Sequence, residues 1–224
     1  MNIEKEKWNA AIASAEYVKN GMLVGLGSGS TAAFMIAELG KRVAGGLIMK
    51  GVPSSNATAR LAKQAGISLI SLEDAGTLDI NIDGADEFDA RLRLIKGGGG
   101  AMLREKILAH NSRFNLIIAD SGKQVDRLGK FKLPLETIPF ATQNIMEELG
   151  KMDLHPQLRM KNEAIYKTDE NNCIVDVDIS QKDDLEELNR TLIEIPGVVE
   201  TGLFLSTTDL VLMGKGQTVT SFKK

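Results

Sequence analysis

Met22-Leu23-Val24-Gly25-Leu26-Gly27-Ser28-Gly29-Ser30-Thr31-Ala32 is a short apolar run that ends in glycine, and helical periodicity follows from Thr31 to Val43. A strand therefore hands over to a helix through a glycine turn. Such a turn suits phosphate: glycine lets the backbone approach an anion, the helix start offers unpaired N–H groups, and Ser28, Ser30 and Thr31 add hydroxyls. It also serves elsewhere as a plain connection. Counted from Gly27 and Gly29, it meets the looser dinucleotide pattern with Ala32 as third small residue. No acidic residue stands near position 52 to hold a ribose, and no Gly-Lys-Ser/Thr makes it a P-loop.

Outward from this unit the chain keeps alternating. A helix is expected over 4–19, a strand at Leu47 to Val52, and a helix capped by Ser54-Ser55-Asn56 through Gln64. Strands follow at Ile67 to Ile70 and Leu78 to Ile82, and strands at Leu92 to Ile95 and Phe114 to Ala119 flank a helix from Ala101 to His110. That alternation predicts an α/β, Rossmann-like, mainly parallel sheet covered by helices. From Lys130 the order becomes β-α-β-β-α-β: Leu135 to Ile138, a helix after Thr142, Leu158 to Met160, a hairpin around Asp169 to Asn172, a helix from Asp183 to Ile193, and Gly197 to Thr201. This is the ferredoxin-like order. Leu210 to Met213 and Thr218 to Phe222 return to the first sheet. The expected division is 1–129 plus 203–224 for a catalytic domain, with 130–202 inserted as a lid.

Composition narrows the chemistry. The 224 residues carry 27 basic and 30 acidic side chains, a net charge of −3 with no basic block, which argues against nucleic acid as a partner. The opening Met1 to Trp8 alternates charges without an apolar signal core, and no later run could span a bilayer, so a cytoplasmic protein with no membrane partner is expected. Cys173 is the single cysteine and His110 and His155 are the two histidines, too little for a zinc site or a Cys/His nucleophile pair.

Two further segments carry chemistry. Asp83-Gly84-Ala85-Asp86-Glu87 follows an expected strand, where open parallel sheets bind their ligands. It reads as a carboxylate pair for proton transfer, as a turn with capping aspartates, or as a magnesium or calcium site, although its spacing is not that of a calcium loop. Lys96 then precedes four glycines, Gly97 to Gly100, and a helix bearing Arg104, Glu105 and Lys106. Consecutive glycines lose the most backbone entropy on folding, so an ordered run needs a geometric reason, such as close approach to a ligand. Lys96 could stabilise developing negative charge, and Asp83, Asp86 and Glu105 could move protons. A glutamate in a first helical turn is also a common surface partner for a cation.

Taken together, these segments resemble the ribose-5-phosphate isomerase A family. Gly25 to Ala32, Asn81 to Asp89, Lys96 to Ala101, Arg104 to Ala109, Ala119 to Lys123, Gly129 to Ile138 and Pro196 to Leu203 follow that family's order and approximate spacing. The resemblance implies interconversion of D-ribose 5-phosphate and D-ribulose 5-phosphate in the non-oxidative pentose phosphate pathway. It implies no cofactor and no metal, and a homodimer or a dimer of dimers. By the same resemblance, Ser28, Gly29, Ser30, Thr31, Asp83, Gly84, Ala85, Asp86, Lys96, Gly97, Gly98, Gly99 and Lys123 bind the sugar phosphate. Glu105 is the implied general base of an ene-diolate mechanism, assisted by Asp83, Asp86 and Lys96. Which aspartate helps ring opening stays open. The helix dipole lowers the Glu105 pKa whereas desolvation and the two aspartates raise it; burial under a closed lid is expected to win. The competing readings are an amino-sugar phosphate isomerase-deaminase, a coenzyme A transferase, a sugar-phosphate sensor without a base, and a metal-dependent isomerase.

Overall fold

The computed structural model describes residues 2–224. The first half of the chain runs α1 (Ile3–Ala15), β1 (Leu23–Leu26), α2 (Ser30–Ala44), β2 (Lys50–Pro53), α3 (Asn56–Gln64), α4 (Leu72–Ala75), β3 (Ile80–Gly84), β4 (Glu87–Phe88), β5 (Leu94–Ile95), α5 (Met102–His110) and β6 (Asn115–Asp120). The second half runs β7 (Leu133–Thr137), α6 (Thr142–Lys151), β8 (Gln157–Leu158), β9 (Met160–Lys161), β10 (Ala164–Ile165), β11 (Cys173–Val177), α7 (Leu185–Glu194), β12 (Val198–Thr201), β13 (Leu203–Phe204), β14 (Leu210–Lys215) and β15 (Thr218–Lys223).

The largest sheet has the order β15-β14-β6-β3-β1-β2. Its neighbours are parallel except for the closing β14–β15 hairpin. Residues on β6 sort the two faces: Leu116 and Ile118 pack into a core with Met35 and Leu39 of α2, while Ile117 and Ala119 pack with Met102 of α5. Alternate residues of a strand point to opposite faces, so α2 and α5 cover opposite sides. Their connections diverge between β1 and β3, which makes that junction the switch point where doubly wound sheets bind ligands.

A second sheet has the order β12-β7-β11-β8, antiparallel throughout, as a ferredoxin-like β-α-β-β-α-β unit requires. Leu135, Val175, Leu149 and Leu192 form its own core. A small sheet, β13-β5-β4, lies between the two. Lys96 N–H donates to Gly202 O at 2.9 Å, and Gly202 N–H donates to Pro134 O at 2.8 Å, so the chain returning from the second unit is stitched to the strand that presents Lys96.

Several elements differ from the sequence reading. Ile67 to Ile70 makes only one bridge, Leu69 with Gly51, because Gly66 at φ 76° ends the turn after α3 and Ser71 already caps α4. The first helix stops at Ala15 rather than near position 19. The strand expected at Leu158 to Met160 divides at Arg159, whose N–H pairs with Ile174 O while its carbonyl accepts from Tyr166 N–H. Beyond it, β9 and β10 form a separate hairpin with Asn162 and Glu163 both at positive φ, as a two-residue hairpin turn demands. The strand expected at Leu92 to Ile95 begins at Leu94 and joins the small sheet, not the large one.

Gly27 follows β1 where it leaves the sheet beside β3 at the switch point. Its N–H donates to Ile82 O at 2.9 Å, and a methyl group there would overlap the Asp83 carboxylate. Gly27→Ala is expected to destabilise by about 1 to 3 kcal/mol through overpacking, about 3 to 10 °C in Tm for a chain of this size. Gly99, which has nothing within 4 Å of a built methyl, should accept alanine with Tm within about 2 °C by the same reasoning. Differential scanning calorimetry of both variants checks the contrast.

Candidate active site

The glycine turn supplies one wall of a cleft at the switch point. Gly29 precedes α2 at φ 99° and ψ 179°, a conformation essentially reserved for glycine. No side chain caps α2 and no acidic residue occupies its first turn. The N–H groups that start the helix are thus left for an anion. The Ser28 hydroxyl does not join them: it lies 2.8 Å from Ser54 Oγ, 2.8 Å from Ser55 Oγ and 3.0 Å from Thr58 Oγ1. Thr58 Oγ1 in turn donates to Gly27 O at 3.0 Å. This hydroxyl cluster fastens the turn to the start of α3, while Ser28 N–H donates to Asp83 Oδ1 at 3.1 Å.

Lys96 is the centre of the opposite wall. Its Nζ lies 3.1 Å from Asp83 Oδ2 and 3.2 Å from Glu105 Oε2 and donates to Gly84 O. The side chains of Lys96, Asp83 and Glu105 are 4%, 1% and 7% exposed. Burial by itself would lower the Lys96 pKa, but the charges of Asp83 and Glu105 outweigh it and raise it above the ordinary lysine value. Burial pushes the Asp83 carboxyl upward, opposed by Lys96 and by the N–H groups of Gly84 and Ser28. The Glu105 pKa rises to about 8, from burial first and the Asp83 charge second, against the pull of Lys96. Glu105 stands in the first turn of α5, so desolvation overrides the helix dipole there.

The glycine loop has its geometric reason. Gly97 and Gly100 adopt φ 109° and 77°, and a methyl on Gly98 would press on Asp86 and Phe131. Gly98 N–H donates to Asp86 Oδ2 at 2.7 Å. The cleft so formed, about 140 Å³, is lined by Ser28 to Thr31, Gly84 to Asp86, Lys96 to Gly99, Glu105 and Lys123. Asp83 lies behind this lining, under Lys96, so of the two aspartates only Asp86 faces the cleft.

One lining residue escaped the sequence reading. Lys7 of α1 reaches the cleft from near the start of the chain, paired with Glu4 at 2.8 Å. Its neighbour Glu6 is buried and accepts from Ser121 N–H, Ser121 Oγ and Gly216 N–H, which ties α1 to the 3-10 turn Ser121–Lys123 and so brings Lys7 and Lys123 to one place. Nothing local in Glu4 to Lys7 signals this. Arg104 points elsewhere, to Glu170 at 2.5 Å and Asp169 at 3.7 Å. Among the described residues no group of three His, Cys, Asp or Glu side chains is arranged to hold a metal ion, and no helix is long and apolar enough to cross a membrane.

An uncapped helix start flanked by lysines, beside a carboxyl that exchanges its proton close to neutral pH, equips this cleft for proton transfer on a phosphorylated small molecule. A family profile described as ribose 5-phosphate isomerase A (phosphoriboisomerase A) matches residues 50–218. Ribose-5-phosphate isomerase A of Ruegeria pomeroyi is 50% identical over 222 residues, covering 96% of this chain and 85% of that protein. The protein of the same name from Limosilactobacillus reuteri is 45% identical over 203 residues, covering 90% and 89%. The structure of ribose 5-phosphate isomerase A from Methanocaldococcus jannaschii is 39% identical, with a TM-score of 0.93 and coverage of 97% and 98%. A D-ribose-5-phosphate isomerase in complex with phospho-erythronic acid is 36% identical, with a TM-score of 0.97 over the full length of both chains. This chain belongs to the ribose 5-phosphate isomerase A family and is an isomerase.

The raised Glu105 pKa has a consequence for stability. Between the unfolded value of 4.5 and the folded value of about 8 the folded state holds a proton that the unfolded state releases, so stability falls as pH rises through this window. The contribution is complete below pH 4.5 and gone above 8. Glu105→Gln keeps a neutral side chain at every pH, so it escapes this loss and should melt several degrees higher than the wild type at pH 8.5, since a tenfold change in proton affinity on folding corresponds to about 1.4 kcal/mol. Near pH 4.5 the two should melt together. Thermal scans of both proteins across this range measure the effect.

Proposed function

We propose that this chain interconverts D-ribose 5-phosphate and D-ribulose 5-phosphate through an ene-diolate, without a metal, using Glu105 as general base. The observation that carries this reading is the Glu105 carboxyl, set at the edge of the cleft 3.2 Å from Lys96 with its pKa raised to about 8. Such a carboxylate is a far stronger base than one in water and still loses its proton near working pH. In the open-chain aldose it takes the C2 proton as the C1=C2 bond forms and charge moves to O1. Lys96 and the N–H groups of the glycine loop stabilise that oxygen. O1 then gains a proton, O2 loses one, and Glu105 returns its proton to C1 to leave the ketone at C2.

The phosphate is assigned to the start of α2 at Gly29, Ser30 and Thr31, with Lys123 and Lys7 offsetting its charge. Ser28 shapes the turn and does not donate to the phosphate, since its hydroxyl is held by Ser54 and Ser55 and its N–H by Asp83. Asp86, which lines the cleft, handles hydroxyl protons and ring opening, and Asp83 holds Lys96 and the Ser28 turn in place. Lys96 occupies the position between Asp83 and Glu105 that a cation would take. Phospho-erythronic acid, bound in a structure of the same fold, supports the reading, because its carboxylate shares the planar, two-oxygen anionic end of an ene-diolate. Residues 130–202 act as a lid over the site. The protein works in the cytoplasm, in the non-oxidative pentose phosphate pathway, as a homodimer or a dimer of dimers. Phe140, 95% exposed, and the partly exposed Ile138 in the same loop support self-association.

The deciding assay is conversion of ribose 5-phosphate to ribulose 5-phosphate with and without EDTA, beside Glu105→Gln. The wild type should be active and indifferent to the chelator, and the variant should lose about 10²- to 10⁴-fold in kcat. Full activity in the variant would remove Glu105 as base; loss of wild-type activity in EDTA would restore the metal-dependent reading. The pH profile of kcat/KM should rise to a plateau through about 8 as Glu105 ionises, separate from the second ionisation of the substrate phosphate at about 6. Light scattering of the purified protein should give at least twice the monomer mass of 24.2 kDa.

A further inference from the structure

The carbonyl side of the glycine loop is gripped from the second unit. Arg159, between β8 and β9, is held in a fork by Asp176 of β11: Nε donates to Oδ2 at 2.9 Å and Nη2 to Oδ1. The free edge of the guanidinium donates through Nη1 to Gly97 O at 2.7 Å and Gly98 O at 3.2 Å. Tyr166, just after β10, donates its hydroxyl to Gly99 O at 3.1 Å. Three successive loop carbonyls are thus bonded to side chains from across the domain boundary. The Arg159 side chain is only 15% exposed, so solvent does little to loosen the grip.

A trans peptide is planar and its C=O and N–H point in opposite directions, and no peptide of the described residues is cis. The peptide that carries Gly97 O also carries the Gly98 N–H, and the next one carries the Gly99 N–H. Tying both carbonyls to one nitrogen of Arg159 therefore turns both N–H groups away from it. The direction is visible at Gly98, whose N–H meets Asp86 Oδ2 at 2.7 Å, and Asp86 lines the cleft. The Gly99 N–H, on the peptide whose carbonyl Arg159 also holds, is turned away from the guanidinium as well. The guanidinium charge also polarises these two peptides and strengthens their N–H groups as donors.

We propose that Arg159, braced by Asp176, is a positioning residue for the isomerisation: it sets the loop so that the Gly98 N–H holds Asp86 at the cleft and the Gly99 N–H serves the developing oxyanion. The proposal rests on the ene-diolate reading above. Four glycines left to themselves sample many orientations, and donors that must be reoriented during reaction lose their catalytic advantage. Because phosphate is held elsewhere, at the start of α2, freeing the loop acts on the transition state more than on substrate binding.

The test is steady-state kinetics, pH profiles and melting of the full-length Arg159→Met, Arg159→Lys and Tyr166→Phe variants beside Glu105→Gln. In Arg159→Met, kcat should fall about 10- to 100-fold, with KM within about threefold and the ionisation of kcat/KM near 8 unmoved. Arg159→Lys, which can reach a carbonyl but cannot fork Asp176, should recover part of the loss. Tyr166→Phe should lose about two- to fivefold. A folded Arg159→Met with kcat within twofold of wild type, or with its defect in KM alone, overturns the proposal. If Arg159→Met does not fold, wild-type kcat in both Arg159→Lys and Tyr166→Phe overturns it instead. An inactive Glu105→Gln beside a fully active Arg159→Met would sink the positioning role alone, whereas an active Glu105→Gln beside an impaired Arg159→Met would sink the base assignment and keep the loop's role.

Discussion

The ammonium of Lys96 enclosed between Asp83 and Glu105 is the constraint on which the rest of this molecule turns. A buried charge is tolerated only when paired, and here two carboxylates share one cation with little of any of the three side chains exposed. If both carboxylates were ionised the group would carry an excess negative charge with almost no solvent to dissipate it. The relief is a proton taken up by this carboxylate pair, since burial raises both pKa values, and the two backbone N–H groups that donate to Asp83 Oδ1 favour Glu105, which accepts from none, as the group that holds it. A demand of folding thereby raises a carboxyl pKa well above that of a carboxyl in water, which is what the base proposed above requires.

The same lysine explains how the two sheets are joined. Lys96 follows β5, whose partner β13 lies on the chain returning from the second unit, and its ring neighbour Phe204 sits 5.5 Å from the ammonium. Lys106, one residue beyond Glu105, donates to Thr201 O, Leu203 O and Glu200 at that crossing. Movement of the second unit is therefore mechanically connected to the position of both Lys96 and Glu105. The link runs through hydrogen bonds to backbone carbonyls, which are short, directional and intolerant of slip.

Much of the fold was legible in the chain. The glycine turn between an apolar run and a helical period, the alternation up to Ala119, and the β-α-β-β-α-β order after Lys130 all correspond to elements found. Periodicity reads well where a segment is amphipathic over many residues, as in α2 and α7. It fails where pairing depends on a distant partner. Ile67 to Ile70 is apolar enough for a strand, yet helix ends on both sides leave it room for one bridge. Arg159 looks like a strand interior and is a point where two hairpins divide.

The candidate site divides along the same line. Its residue types and spacing, Asp83 and Asp86 after a strand, Lys96 before the glycines, and Glu105 in the next helix, were readable because each is local to a loop at a strand end. The sequence by itself determined that carboxylates, a cation and a phosphate-competent turn would meet at the carboxyl edge of a parallel sheet. Only the tertiary structure decided that Asp83 lies beneath Lys96 and Asp86 faces the cleft, that the Ser28 hydroxyl turns to Ser54 and Ser55, and that Lys7 and Arg159 approach from distant parts of the chain. The reason is physical: a local pattern specifies which groups a loop carries, but desolvation and hydrogen-bond direction depend on what packs against it, and that is contributed by residues far away along the chain.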